Sequence, residues 1–202
     1  MSDQKTETAP SKDEAPKSHA IADWVGDIVN LEGHIEEAMD RQLTLKPASQ
    51  DVSQAIQHFH DTVRASKYRA EDYQKTLGAT KGSGVVQTAA EVLGKAAGLI
   101  DKVRKDTVTK TLRDDYVAFN LAAISYTLLH STALALKDQK TVQFAEKGLE
   151  TYASLVQKIN SIIPQATIDD LVKNDEVPVA DSTVADEARK TIDRIWAKTS
   201  ND

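Results

Sequence analysis

Residues 21–39, IADWVGDIVNLEGHIEEAM, decide the fold. Ile21, Trp24, Ile28, Leu31, Ile35 and Met39 recur at helical spacing and give one apolar stripe on a helix predicted over 18–43. Glu32 falls inside that stripe, with Val25, Ile28, Val29, Ile35 and Met39 three, four or seven positions away. A carboxylate so placed is either buried, where it needs a metal ion, an arginine or a hydrogen-bond network, or sits at the boundary and reaches solvent.

Pro47 breaks the pattern, and a second helix opens behind it. Val52, Ile56, Phe59, Val63, Ser66, Ala70, Tyr73 and Leu77 alternate steps of four and three, the seam of a bundle helix. Gly78, Gly82 and Gly84 close it. Residues 85–103, rich in Ala and Val with small faces at Gly94 and Gly98, suit a shorter crossover helix, whose neighbours would run parallel. A third helix is predicted over 112–136, with Val117, Leu121, Ile124, Leu128 and Ser131 at bundle spacing.

Asp138 and Gln139 form a short polar break, so the next helix should be an antiparallel neighbour. That fourth helix is predicted over 141–163 through Val142, Ala145, Leu149, Tyr152, Val156, Ile159 and Ile163, and Pro164 follows it. A polar linker with Val177, Pro178 and Val179 leads to a last amphipathic segment. Thr183 is its expected cap, and Val184, Ala188, Ile192 and Ile195, with Trp196 beside them, are its docking side. No stretch alternates as a strand would. The reading is all-α: a tail over 1–17, a four-helix bundle with a crossover over 18–164, and a linker with a short C-terminal helix over 165–202.

Composition narrows the function. The 202 residues carry a net charge of −6 and no cysteine. An acidic chain without a basic stripe is a poor nucleic-acid binder. Lack of thiols excludes disulfides, zinc-thiolate and iron-sulfur sites and leaves His, Asp and Glu as metal ligands. The first 17 residues show no apolar signal-peptide core, and no stretch approaches the roughly 20 apolar residues a membrane-spanning helix requires, so a soluble, cytoplasmic protein without membrane insertion is expected.

Other candidate groups lie on the second and fourth helices. His58 and Asp61 share a face, whereas His60 stands nearer the apolar stripe, four after Ile56 and three before Val63. Glu146 and Glu150 flank Leu149, a spacing that also suits a plain solvated face. Tyr126, Thr127 and Ser131 surround His130 in sequence without forming a catalytic dyad. There is no G-x-S-x-G elbow, and Gly82-Ser83-Gly84 lacks the context of a phosphate loop.

The helix order, Val52-Ser53-Gln54-Ala55 entering the second helix, Gly98-Leu99-Ile100-Asp101 in the crossover and Leu112-Arg113-Asp114-Asp115 after it resemble the bacterial ferritin-like stress-response family of the YciE/YciF type. The resemblance implies a four-helix bundle, commonly dimeric, holding a dinuclear metal centre through carboxylates and histidines. On this chain it puts the first-helix glutamate at Glu32. The Glu-x-x-His pair of the second helix falls on Asp61 and Arg64, and the third-helix carboxylate falls near Ile124-Ser125-Tyr126, where there is none. Glu150 remains on the fourth helix, with Ala153 and Ser154 where its partner belongs.

Two expectations follow. In one, the chain is a non-enzymatic, stress-associated bundle with no cofactor, acting through its surface or as a homodimer, with Arg64 pairing with Glu32 or Glu150 inside the bundle; Trp24, Tyr116 and Phe119 either add apolar surface for the dimer or, as is commoner for each singly, belong to the core. In the other, Glu32, His60, Asp61 and Glu150 bind iron or manganese in a variant metal-binding protein or oxidoreductase.

Overall fold

A computed structural model describes residues 19–78 and 107–199. Among these residues there are five helices and no strand: α1 His19–Gln42, α2 Gln50–Thr76, α3 Val108–Ala135, α4 Gln139–Lys173 and α5 Ser182–Thr199. The N-terminal tail and the expected crossover over 85–103 lie outside the described residues.

Cross-helix hydrogen bonds fix the topology. Glu32 meets Ser66 while Asp40 meets His60, so α1 and α2 are antiparallel. Glu32 also meets Tyr126 while Gln42 meets Asp115, so α3 is antiparallel to α1 as well. The two helices flanking the long connection therefore run parallel, as the sequence implied. Residues 78 and 107 consequently stand at opposite ends of helices that are about 40 Å long at 1.5 Å per residue. α3 and α4 share the most extensive helix pairing among the described elements, and α5 packs on α4.

The core follows the predicted stripes of α1, α2 and α4. Ile28, Ile35, Met39, Phe59, Tyr152, Leu155 and Ile159 are fully buried or nearly so. Phe119 meets Phe59 edge-on at 5.6 Å and Tyr152 at 6.0 Å, tying three helices together. Phe119 thus belongs to the core, and Trp24 and Tyr116 pack against it half-buried.

The stripe chosen for α3 is a correction. Val117, Ile124 and Leu128 are 57%, 51% and 43% exposed, and the core takes Leu112, Asp115, Phe119, Ala122, Tyr126, Leu129 and Ala133. This helix is apolar on both sides, so periodicity offers two seams and no polar face chooses between them. Against the expectation that no stretch is apolar enough, it is also, by length and composition alone, the one helix among the described residues long and apolar enough to cross a membrane. Its inner face is spent on the bundle core.

The end of α4 is a second correction. Pro164 was expected to stop it, yet the helix runs on to Lys173 with Pro164 buried inside it. A mid-helix proline costs about 3 kcal/mol, here opposed by burial of Ile162, Ala166 and Ile168. The extra turns carry Asp170 to the start of α3, where its Oδ2 accepts the Thr109 N–H at 2.9 Å. That side chain caps α3 from outside, since Thr107 makes no capping bond of its own. Asp138 caps α4 by accepting from the Lys140 and Thr141 N–H groups. On α5 the capping oxygen belongs to Asp181, which takes the N–H of Thr183, and not to Thr183 itself. The α5 side that docks is also narrower than expected. Ala185 is buried and Ala188 and Ile192 half-buried, while Val184, Ile195 and Trp196 stay exposed.

Asp170→Ala should lower stability by about 1–2 kcal/mol, the range for a lost cap with a favourable dipole contact. A urea melt checks this; an unchanged midpoint would show that α3 starts without help from the end of α4.

Candidate functional site around Glu32

Glu32 has no exposed surface. Its Oε1 accepts the Ser66 hydroxyl at 2.7 Å and the Tyr126 hydroxyl at 2.9 Å. Ser66 in turn accepts from Arg69 at 2.9 Å, so the guanidinium polarises the hydroxyl that faces the carboxylate. The second carboxylate oxygen, Oε2, and the buried Tyr152 hydroxyl each lack a hydrogen-bond partner. Four helices contribute: α1 the carboxylate, α2 Ser66 and Arg69, α3 Tyr126, and α4 Tyr152.

Tyr126 reaches this position because α4 has a glycine opposite it. A Cβ on Gly148 would lie 2.1–2.3 Å from the Tyr126 ring. The ring also stacks on Tyr152 at 5.9 Å and leans on Phe144 at 5.8 Å. Burial pushes the Glu32 carboxyl above its ordinary range, against the pull of Ser66, Tyr126, Tyr152 and Arg69; the Tyr152 phenol lies near enough to lower it although it makes no hydrogen bond of good geometry. Burial and the neighbouring carboxylate push both phenols above theirs, so both remain O–H donors at neutral pH.

The other predicted residues do not join this cluster. Arg64 is 53% exposed and lies against Glu36 at 3.5 Å and Tyr68 at 3.4 Å, so the expected buried pair with Glu32 or Glu150 is not formed. Arg69, one turn further along α2, is the cation nearest in role. Glu150 lies on the surface, 3.3 Å from Lys147. Glu146 faces His130 at 3.4 Å, and His58 is exposed at a surface cleft with Lys158 and Arg189.

His60 and Asp61 do come together, with Asp40 as a third member. The buried imidazole puts Nε2 2.8 Å from Asp40 and Nδ1 3.0 Å from Asp61. Burial opposes its charge, but the two aspartates outweigh that and hold its pKa above the usual value. Both ring nitrogens are thereby engaged, leaving no lone pair for a metal.

A further buried acid was not singled out by the sequence. Asp115 accepts from Gln42 Nε2 at 2.6 Å, while Asp115 Oδ2 and Gln42 Oε1 are both buried without partners. Burial raises its pKa from 3.8 to about 7 despite the amide, and Asp114 adds to the rise. A proton on Asp115 would give the pair an O–H donor to set against the amide oxygen. The signal was present in the spacing, since Asp115 stands three after Leu112 and four before Phe119, but only on the α3 face not chosen.

The donors around Glu32 do not fit a dinuclear centre. They are one carboxylate, two high-pKa phenols, a serine and an arginine. Among the described residues no three His, Asp or Glu side chains are grouped so as to hold a metal ion. Among the described residues, neither the cleft at His58, Lys158 and Arg189 nor the one at Tyr116, Ile192 and Trp196 is lined by Glu32, Ser66, Tyr126 or Tyr152. Compared with protein-family models, curated proteins and solved structures, the chain matches none.

Gly148→Ala should destabilise by about 1–3 kcal/mol or more through overpacking, although alanine is the better helix former by about 1 kcal/mol. Thermal melts decide, and a stabilised variant would mean the Tyr126 ring is free to move aside. For Asp115, both states are protonated well below pH 4 and both ionised above about 7. In between, the folded state holds the extra proton, so stability falls as pH rises, by about 4 kcal/mol at 1.4 kcal/mol per unit for a shift from 3.8 to about 7. Asp115→Asn should flatten that slope and raise stability at pH 8. Equal slopes in the two proteins would remove Asp115 from the account.

Proposed function

We propose that this chain is a non-catalytic, ferritin-like bundle protein of the stress-response type, in which hydroxyl groups and an arginine occupy the surroundings of Glu32 that metal ligands would otherwise fill. It acts through its surfaces, including association with itself. The observation that carries this reading is the closure of the Glu32 carboxylate by Ser66 and Tyr126, with Arg69 behind. The hydrogen bonds of this network join three helices, and the hydroxyls that donate to the carboxylate, Ser66 and Tyr126, are buried within the core.

The competing reading is a protein that binds iron or manganese through Glu32, and Glu32→Gln separates the two. An amide keeps an acceptor for the two hydroxyls and removes the desolvated acid, so under the proposal the variant is at least as stable as the parent at pH 8 and the parent purifies without stoichiometric metal. A parent carrying one or two irons or manganese ions per chain, lost together with stability in Glu32→Gln, would overturn it. Glu32→Ala, by contrast, strands buried hydroxyls and should lower stability by about 3 kcal/mol.

A further inference from the structure

The cleft where the start of α2 meets α4 and α5 has a volume of about 470 Å³, within the range of small-molecule sites. Its lining gathers donors that have nothing to donate to. Lys158 stands exposed in it, and among the described residues no hydrogen bond or ion pair engages its ammonium. Arg189 is paired with Asp186, 3.1 Å from its Nη1, yet its Nε is buried without an acceptor. Neither side chain can accept a hydrogen bond. The backbone adds to them. Ser49 stands at the N-cap of α2 and makes no side-chain capping bond, so the first N–H groups of this 27-residue helix, among them those of Asp51 and Val52 in the lining, meet the cleft uncapped. The positive end of the helix dipole lies at the same place. Asp51 is the one acid of the lining, and among the described residues it pairs with none of these groups.

We infer that the cleft binds a small phosphomonoester with a hydroxyl-rich body, the chemistry of a sugar phosphate. A phosphate brings several acceptor oxygens and two negative charges to one point. Lys158, Arg189, the Ser49 hydroxyl and the uncapped N–H groups of α2 would share them through charge-assisted hydrogen bonds. The rest of the lining is polar: Gln54 and Gln165 offer amides to hydroxyl groups, and the Asp51 carboxylate can accept from one. With a net charge of −6 the chain as a whole repels anions, so affinity has to come from these local donors. The cleft is separate from the hydroxyl network around Glu32, and binding there requires no second copy of the chain.

In ¹H–¹⁵N spectra of the full chain, glucose 6-phosphate should move the amide signals of Asp51 and Val52 saturably, and glucose should not. Inorganic phosphate should bind more weakly than the ester, because it leaves the two glutamines unmet. Lys158→Gln, at an exposed position, should keep the helical circular dichroism and weaken binding about tenfold, the loss expected for one charge-assisted contact. Arg189→Lys keeps the charge but removes the buried Nε donor, and it should weaken binding as well. Lys140→Gln, at the start of α4, should leave affinity unchanged. No saturable shift with glucose 6-phosphate overturns the inference, as does an affinity indifferent to Lys158→Gln. Equal losses from Lys140→Gln and Lys158→Gln overturn it too, since they would reduce the effect to overall charge. Glucose or inorganic phosphate binding as tightly as the ester would overturn the assignment to a phosphomonoester.

Discussion

A carboxyl group without exposed surface sits in the middle of an otherwise aromatic and aliphatic interior, and the arrangement of four helices answers to it. Transferring Glu32 from water without partners would cost several kcal/mol, more than most single contacts return. The serine on α2 and the tyrosine on α3 each remove part of that penalty only if their helices stand at one height and one rotation. Gly148 completes the requirement, because the phenol reaches the carboxylate across backbone that bears no side chain. The network is unfinished, however. Oε2 and the Tyr152 hydroxyl remain without partners, and a protonated Glu32 would offer a donor on the side of the carboxyl that now has none.

The sequence revealed the carboxylate but not its companions, for a reason visible in particular residues. Glu32 interrupts a clean stripe and so announces itself. Ser66 keeps the seam spacing and reads as a small core residue, and Tyr152 reads as one more aromatic. Tyr126 stands on a helix where the heavier aliphatics, Val117, Ile124 and Leu128, advertise the wrong side. Burial there is decided by partners: Phe119 and Tyr126 fit the space left by Phe59, Phe144 and Gly148, which no single-helix pattern encodes. The same misassignment hid Asp115. The likeness to a metal-binding motif points to Arg64, whose carboxylate partner is Glu36 on α1, shared with Lys67 of α2.

Boundaries were legible where local chemistry sets them and illegible where tertiary contacts do. Gln50 follows Pro47 and Ser49 into α2 as expected, and Asp138 ends one helix and caps the next. Pro164 looked decisive because a proline removes a backbone donor, yet the packing beyond it and the Asp170 contact with α3 outweigh a local preference. A rule about one residue loses to the burial of Ala166 and Ile168 and the Asp170 contact.

The polar contacts also form a ladder along the bundle. Gln42 with Asp115 stands near one end, Glu32 with Ser66 and Tyr126 in the middle, and Tyr73 with Thr141, 2.7 Å apart, toward the other. Between these rungs the interior is apolar, aliphatic side chains packed around Phe59, Phe119 and Phe144, and burial of such surface is non-directional. A shift of one turn, about 5.4 Å, would separate every donor from its acceptor at once. Apolar seams therefore supply most of the association, while the rungs choose a single register, including the parallel placement of α2 and α3 on which the long connection depends. On this argument Glu32 is retained for what it excludes as much as for what it binds: it makes the slipped bundles expensive and leaves one arrangement of the four helices.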